Sequence, residues 1–295
     1  MKFDEFANVV VEKIRDYLPD TFAEAEVKLE TVIKNNDLKL TGITIRREGS
    51  NICPTIYLEQ YFKAYESGAE MDKILGKIAD TRMKNDFEES FDADQFKDFD
   101  WVKDMIVPRL VNKEQNLEQL TERPYSAIAD LAVTYHIMLF NGNASTPVTN
   151  DFMKVWGIKT EELHELAVRN MARLIPGTFR GMSVVMDAIC GDKTDVLDPE
   201  NEMLFVLSNK GGWYGAAAVL DDKIMKSVVK RVGEKFYVLP SSVHELLVVP
   251  SNIGMDVGQL KEMVTSINAS EVALEERLSN NVYRYSTEKG LQIAC

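Results

Sequence analysis

Cysteine, histidine and positive charge are all scarce in this chain of 295 residues. The three cysteines, Cys53, Cys190 and Cys295, are odd in number and far apart, which excludes a disulfide framework and a C-x-x-C metal ribbon. They read as free thiols. A zinc site built from His and Cys would have to gather nearly all of His136, His164 and His244 into one place, so no metal is expected. Apolar runs of 18 or more are missing as well, which excludes a transmembrane helix. The opening MKFDEFANVVVEKIRDYL sets acidic residues among its apolar ones and lacks the basic and continuous apolar regions of a secretory signal. A cytoplasmic location is therefore expected.

Lysine and arginine number 34 against 47 aspartates and glutamates, a net charge of −13. Direct nucleic-acid binding needs clustered cations on the phosphate backbone, and this balance argues against it. What is present is ordinary for a folded protein: 45% hydrophobic and 27% charged residues, with length enough for one large domain or two smaller ones.

Apolar spacing predicts an amphipathic helix over residues 3–18, closed by Pro19, then a β-hairpin of segments 25–34 and 38–47 in which Val27, Leu29, Thr31 and Ile33 share a face. A third strand at 52–58 and helices at 59–65 and 71–84 complete an N-terminal helix–hairpin lobe, residues 1–95. Residues 96–295 are expected to form the main domain, either separate or continuous with the lobe. Within it, 106–111 and 127–140 read as strands, or as a buried helix and strand. Helices follow at 149–156, from Thr160 as N-cap to about 174, and at 182–189. From 203 the predicted order is β-β-α-β-β: strands 203–207 and 215–220, a helix at 221–232 capped by Asp221, and strands 236–239 and 246–249. A helix over 256–279 and a hairpin of 282–286 with 291–294 close the chain. The expected class is α+β, with a mixed, mostly antiparallel sheet flanked by helices.

Three places concentrate chemistry. Pro240-Ser241-Ser242-Val243-His244-Glu245 puts hydroxyl, imidazole and carboxylate at a strand end, the types a nucleophile–base pair requires. Neighbours at that spacing in an extended segment do not form a local triad, and no Gly-x-Ser-x-Gly elbow is present, so a tight turn with Ser241 capping the backbone and His244 satisfied in the core is the competing account. His164-Glu165 and His244-Glu245 both lack the second histidine of a zincin helix; Val168 and Val248 occupy that position. His164 is expected near the surface, His136 as a satisfied core histidine.

Lys210-Gly211-Gly212-Trp213-Tyr214-Gly215 has neither dinucleotide nor Walker spacing, and no cofactor is expected there. A hairpin turn presenting Trp213 and Tyr214 as a partner-binding knob fits better. Finally, eight acidic residues between Asp86 and Asp104 alternate with Phe87, Phe91, Phe96, Phe99 and Trp101. This segment is either a solvated face anchored by its aromatics or an acidic-aromatic docking element in which Phe91, Phe96 and Trp101 meet a partner.

The run Ile106-Val-Pro-Arg-Leu-Val-Asn112, then Asn116, Leu120, Pro124-Tyr125, Asp130-Leu131-Ala132, Trp156-Gly157-Ile158 and the Pro240 to Glu245 motif together resemble an uncharacterised domain-of-unknown-function family of gut Firmicutes. That family is distantly similar to YtpQ-like uncharacterised proteins. The resemblance covers about residues 1–290 and implies an accessory or host-interaction role, linked to mobile genetic elements. It names no catalytic residue, so Ser241, Ser242, His244 and Glu245 carry over as site candidates only. The expectation is a cytosolic, non-enzymatic binding or regulatory protein with a protein partner and no membrane contact. The alternatives are a hydrolase-like enzyme using His244 with Ser241 or Ser242, and an acidic nucleic-acid mimic that inhibits another protein.

Overall fold

The computed structural model describes residues 1–50, 53–86, 92–142, 144–190, 202–240 and 242–294. Two compact units emerge: Met1–Lys34 with Leu38–Ala93, and Asn35–Asp37 with Asp94–Cys295.

In the first unit, helix α1 (Phe3–Lys13) carries Asp4 and Glu5 in its first turn and Lys13 in its last, both favourable to the helix dipole. Its Phe6, Ala7 and Val10 are buried. Strands β1 (Glu26–Ile33) and β2 (Lys39–Arg46) pair antiparallel from Glu26 opposite Arg46 to Ile33 opposite Lys39, and β3 (Thr55–Tyr57) adds to β2. Helices α2 (Glu59–Glu66) and α3 (Met71–Lys84) cover a core of Phe6, Val10, Ile14, Phe22, Ile43, Ile45, Leu75 and Ile78. Arg82 is fully buried in α3. It donates from Nε to the Ile45 carbonyl at 2.8 Å, pairs with Asp86 at 2.8 Å and lies 4.8 Å from the centre of the Phe22 ring.

The second unit opens with α4 (Phe99–Val102), whose N-cap Asp98 accepts from the amides of Asp100 and Trp101. Strands β4 (Ile106–Asn112), β5 (Tyr125–Ile128), β6 (Leu131–Leu139) and β7 (Ala144–Pro147) form an antiparallel sheet, with the short helix α5 (Leu117–Leu120) between β4 and β5. Pro108 lacks an N–H and is accommodated because β4 is an edge strand. After α6 (Asn150–Trp156), α7 (Thr160–Leu174) packs on β4 through Leu163, Ala167 and Met171. Each of the two larger side chains contributes about 1.5–3 kcal/mol by burial. Asn170 of α7 donates to the carbonyls of Lys103 and Ile106 and ties the helix to the start of β4.

A second sheet has the order β13-β12-β10-β11-β9-β8, every pairing antiparallel. Its strands are β8 (Gly177–Gly181), β9 (Phe205–Asn209), β10 (Lys235–Leu239), β11 (Leu246–Pro250), β12 (Tyr283–Ser286) and β13 (Gly290–Ile293). Helices α8 (Met182–Cys190), α9 (Asp222–Val232) and α10 (Val257–Ser270) complete the unit. Asp130, in the turn between β5 and β6, accepts from the Tyr283 hydroxyl at 2.5 Å, from Ser279 Oγ at 2.9 Å and from Asn281 Nδ2 at 3.0 Å. Burial and this carboxylate together push ionisation of Tyr283 far above the usual tyrosine range.

The architecture is α+β with antiparallel sheets. Asp221 caps α9 as expected. The order expected after residue 203 is corrected: Gly215–Leu220 is a 3-10 helix, so β9 is followed by helix and not by a return strand. Gly-Ala-Ala-Ala-Val-Leu is apolar throughout and has no period to separate the two states. The residue capping α7 is Lys159, and Thr160 is its first helical residue. Strands β7 and β8 escaped the sequence reading, and β5 was merged into the segment 127–140 that also holds β6.

Candidate functional site

The loop at residues 210–214, between β9 and the 3-10 helix, is fixed at both ends. Asn209, the last residue of β9, donates from Nδ2 to the Trp213 carbonyl at 2.7 Å. At the other end Gly215 leaves no room for a side chain, because a Cβ there would overlap Ser208 Oγ and the His244 carbonyl. Ser208 Oγ in turn donates to that carbonyl at 2.8 Å. Tyr214 sits in the left-handed region at φ 52°, at a cost of about 1–2 kcal/mol for a side chain of this kind. It is held there by its N–H, which donates to His244 Nδ1 at 3.1 Å.

That bond assigns the histidine. Since Nδ1 accepts, the neutral ring carries its proton on Nε2, which faces Glu276 Oε1 at 3.6 Å. Trp213 meets the ring edge-on at 5.2 Å between centroids and is 70% exposed. Ser242 Oγ accepts from the backbone N–H of His244 at 2.9 Å, and no hydrogen bond among the described residues joins a hydroxyl to the imidazole. Burial raises the Glu245 carboxyl above its ordinary value. Ser241 and Phe91 lie outside the described residues.

Beside the loop is a cavity of about 240 Å³ bounded by Arg109, Ser145, Asn209, Trp213 and Tyr214, with Val107, Met138, Leu174 and Ile175 as its apolar wall. The guanidinium of Arg109 stacks 3.7 Å from the Tyr214 ring centre and donates to Ser145 Oγ at 2.6 Å. Its pKa is lowered to about 10, chiefly by loss of surrounding water, with Tyr214 opposing and Arg123 adding to the shift, and it stays charged at neutral pH. Sequence reasoning passed over Arg109. The available signal was a charged residue in the middle of the apolar strand Ile-Val-Pro-Arg-Leu-Val.

The other candidates fall elsewhere. Phe96 is half-buried against Phe152, with rings 5.8 Å apart, and its carbonyl accepts from Trp156 Nε1 at 2.9 Å. Trp101 lies at the surface, 36% exposed. In the acidic segment, Asp94 and Asp100 bind Lys97 and Lys103, which hold both carboxyls below their ordinary values. Among the described residues no cluster of His, Cys, Asp and Glu is arranged to hold a metal ion. The Cys53 thiol is pushed up by burial, which leaves little thiolate.

Two histidines depart from expectation. His164 is half-buried, with Nδ1 3.1 Å from the Tyr135 hydroxyl. His136 is buried, but among the described residues its Nδ1 has no partner and its Nε2 reaches only Thr134 Oγ1 at 3.5 Å. Burial, then Arg109 and Arg123, drive its pKa well below the ordinary value. The folded protein therefore binds no proton at His136 where the unfolded chain does. Stability is expected to fall as pH drops through the unfolded value near 6.5, by about 1.4 kcal/mol per pH unit until the folded-state value is reached. Urea midpoints at pH 7.5 and 5.5 check this. His136→Gln should flatten the difference, and an equal slope in both proteins would discard the assignment.

No curated protein and no solved structure matches the chain significantly. One family model, described as a family of unknown function, spans residues 3–287, and the chain accordingly belongs to that family, DUF5688.

Proposed function

We propose that the protein is a non-enzymatic binding protein, cytoplasmic in setting, which recognises a protein partner through the aromatic loop at residues 210–214. The observation that carries this reading is Trp213, 70% exposed on a loop whose neighbours Asn209, Gly215 and His244 hold it in place. A large ring presented by a rigid backbone is the kind of group that dominates interface energies, since little side-chain or loop freedom remains to be lost. An accessory role is in keeping with the resemblance to gut Firmicutes and YtpQ-like proteins.

The hydrolase-like alternative receives less support, because one ring nitrogen of His244 is taken by a backbone amide and the other faces a carboxylate. The nucleic-acid mimic is also weaker: Asp94 and Asp100 are bonded to lysines and Asp98 to its own helix, not set out in a row for a partner.

Trp213→Ala is expected to change stability by less than about 0.5 kcal/mol, as surface substitutions do, while weakening a partner at least roughly 30-fold. Affinity capture from native lysate with wild type and variant in parallel checks both. Identical captured sets would remove Trp213 from the interface.

A further inference from the structure

We infer that the cavity behind the aromatic loop is a binding site for a small carboxylate with an apolar body, and that Arg109 is its anchor. This goes beyond the partner reading, since it concerns a small molecule on the cavity side of the same loop.

The argument begins with charge. Arg109 is half-buried, one face of its guanidinium covered by the Tyr214 ring, yet no ion pair among the described residues includes it, and the other charged side chain that acts on it is a second cation, Arg123. Withdrawn guanidinium groups are costly unless paired, and a chain with 47 carboxylates has no shortage of partners to place there. Buried His136 lies near enough to feel both arginines; Glu122 and Asp37 act on Arg123, whereas no carboxylate is among the groups that act on Arg109. An anion entering the cavity meets a guanidinium that no carboxylate among the described residues pairs.

Geometry narrows the anion. Tyr214 occupies a face of the guanidinium and Ser145 takes one donor, leaving further N–H donors of the planar fork, which match the two oxygens of a carboxylate. The wall of Val107, Met138, Leu174 and Ile175 offers an apolar body its complement and offers a phosphate dianion nothing. A volume of about 240 Å³ is just below the usual range for small-molecule sites, roughly 300–1,000 Å³, so the molecule is small. Asn209 Oδ1, buried at the cavity edge without a partner, is an acceptor that a hydroxyl or amine on that molecule would satisfy.

The test is isothermal calorimetry on the purified full chain with phenylacetate, its neutral isostere phenylacetamide, and inorganic phosphate. Saturable one-to-one binding of phenylacetate is expected, with the amide at least about tenfold weaker and phosphate weaker still. Arg109→Gln should lose about tenfold to a hundredfold in phenylacetate affinity. Arg109→Lys, which keeps the charge without the fork, should fall between, and it serves as the reading if the glutamine variant does not fold. Equal binding of acid and amide, unchanged binding in the arginine variants, preference for phosphate, or no heat at millimolar phenylacetate would each overturn the inference. The calorimeter holds no partner protein, so failure of this test leaves the Trp213 reading standing, and failure of the capture experiment leaves this one.

Discussion

Asp86→Ala is expected to destabilise the first unit by about 3–4 kcal/mol, the cost of leaving a buried charge without its counter-ion. The charge is Arg82, whose side chain is 1% exposed and whose Nη1 reaches Asp86 at 2.8 Å; Arg47 binds the other oxygen of the same carboxylate at 3.3 Å. With the carboxylate gone, the Ile45 carbonyl and the Phe22 ring remain, and neither carries a full negative charge. Arg82→Met in the same background removes the stranded cation and fills much of its volume. The double variant should therefore recover most of the loss, since apolar replacements of buried ion pairs are often neutral or better. Chemical denaturation of the wild type, both single variants and the double variant closes the cycle. If Asp86→Ala alone costs less than about 1 kcal/mol, the pair is a solvated one and the account fails.

The second large effect is expected at Asp130. Its carboxylate gathers the Tyr283 hydroxyl, Ser279 and Asn281, and Tyr283 is completely buried. Asp130→Ala strands that hydroxyl and removes charge-assisted bonds worth roughly 1.5–3 kcal/mol apiece, although bonds to one group do not add. A loss of about 3 kcal/mol is expected, or about 6–12 °C in thermal midpoint for a unit of this size. Asp130→Asn keeps an acceptor for Tyr283 and should lose less. A calorimetric scan of both variants decides, and equal midpoints for Ala and Asn would show that the hydroxyl finds another partner.

Legibility in the sequence followed period and length. The β1–β2 hairpin declared itself through alternation at Val27, Leu29, Thr31 and Ile33, and α3 through a long helical stripe, whereas the helix expected over 256–279 ends at Ser270. Gly-Thr-Phe-Arg-Gly in β8 is too short and too glycine-bounded to show alternation, and the alanine run at 216–218 could not be told from a strand. The geometry around the site was hidden for a different reason. Composition drew attention to Ser242, His244 and Glu245, but the imidazole's partner is a backbone amide 30 residues away, and no spacing rule reports that. Asp86 read as the first member of an acidic run, although half of its meaning lies in α3, four residues back. Arg109 was one cation among 34, and only its stacking on Tyr214 at the cavity sets it apart.

The fastening of residues 210–214 at both ends bears on time as well as on position. If the proposed partner engages this loop as it stands, no ordering step remains to be completed on encounter, and association should proceed as a single exponential with a rate linear in concentration. Without a conformational delay, the rate constant should lie in the ordinary range of about 10⁵–10⁷ M⁻¹s⁻¹. Differences among ligands, or among variants at Trp213, would then be written almost entirely into how long the complex lasts.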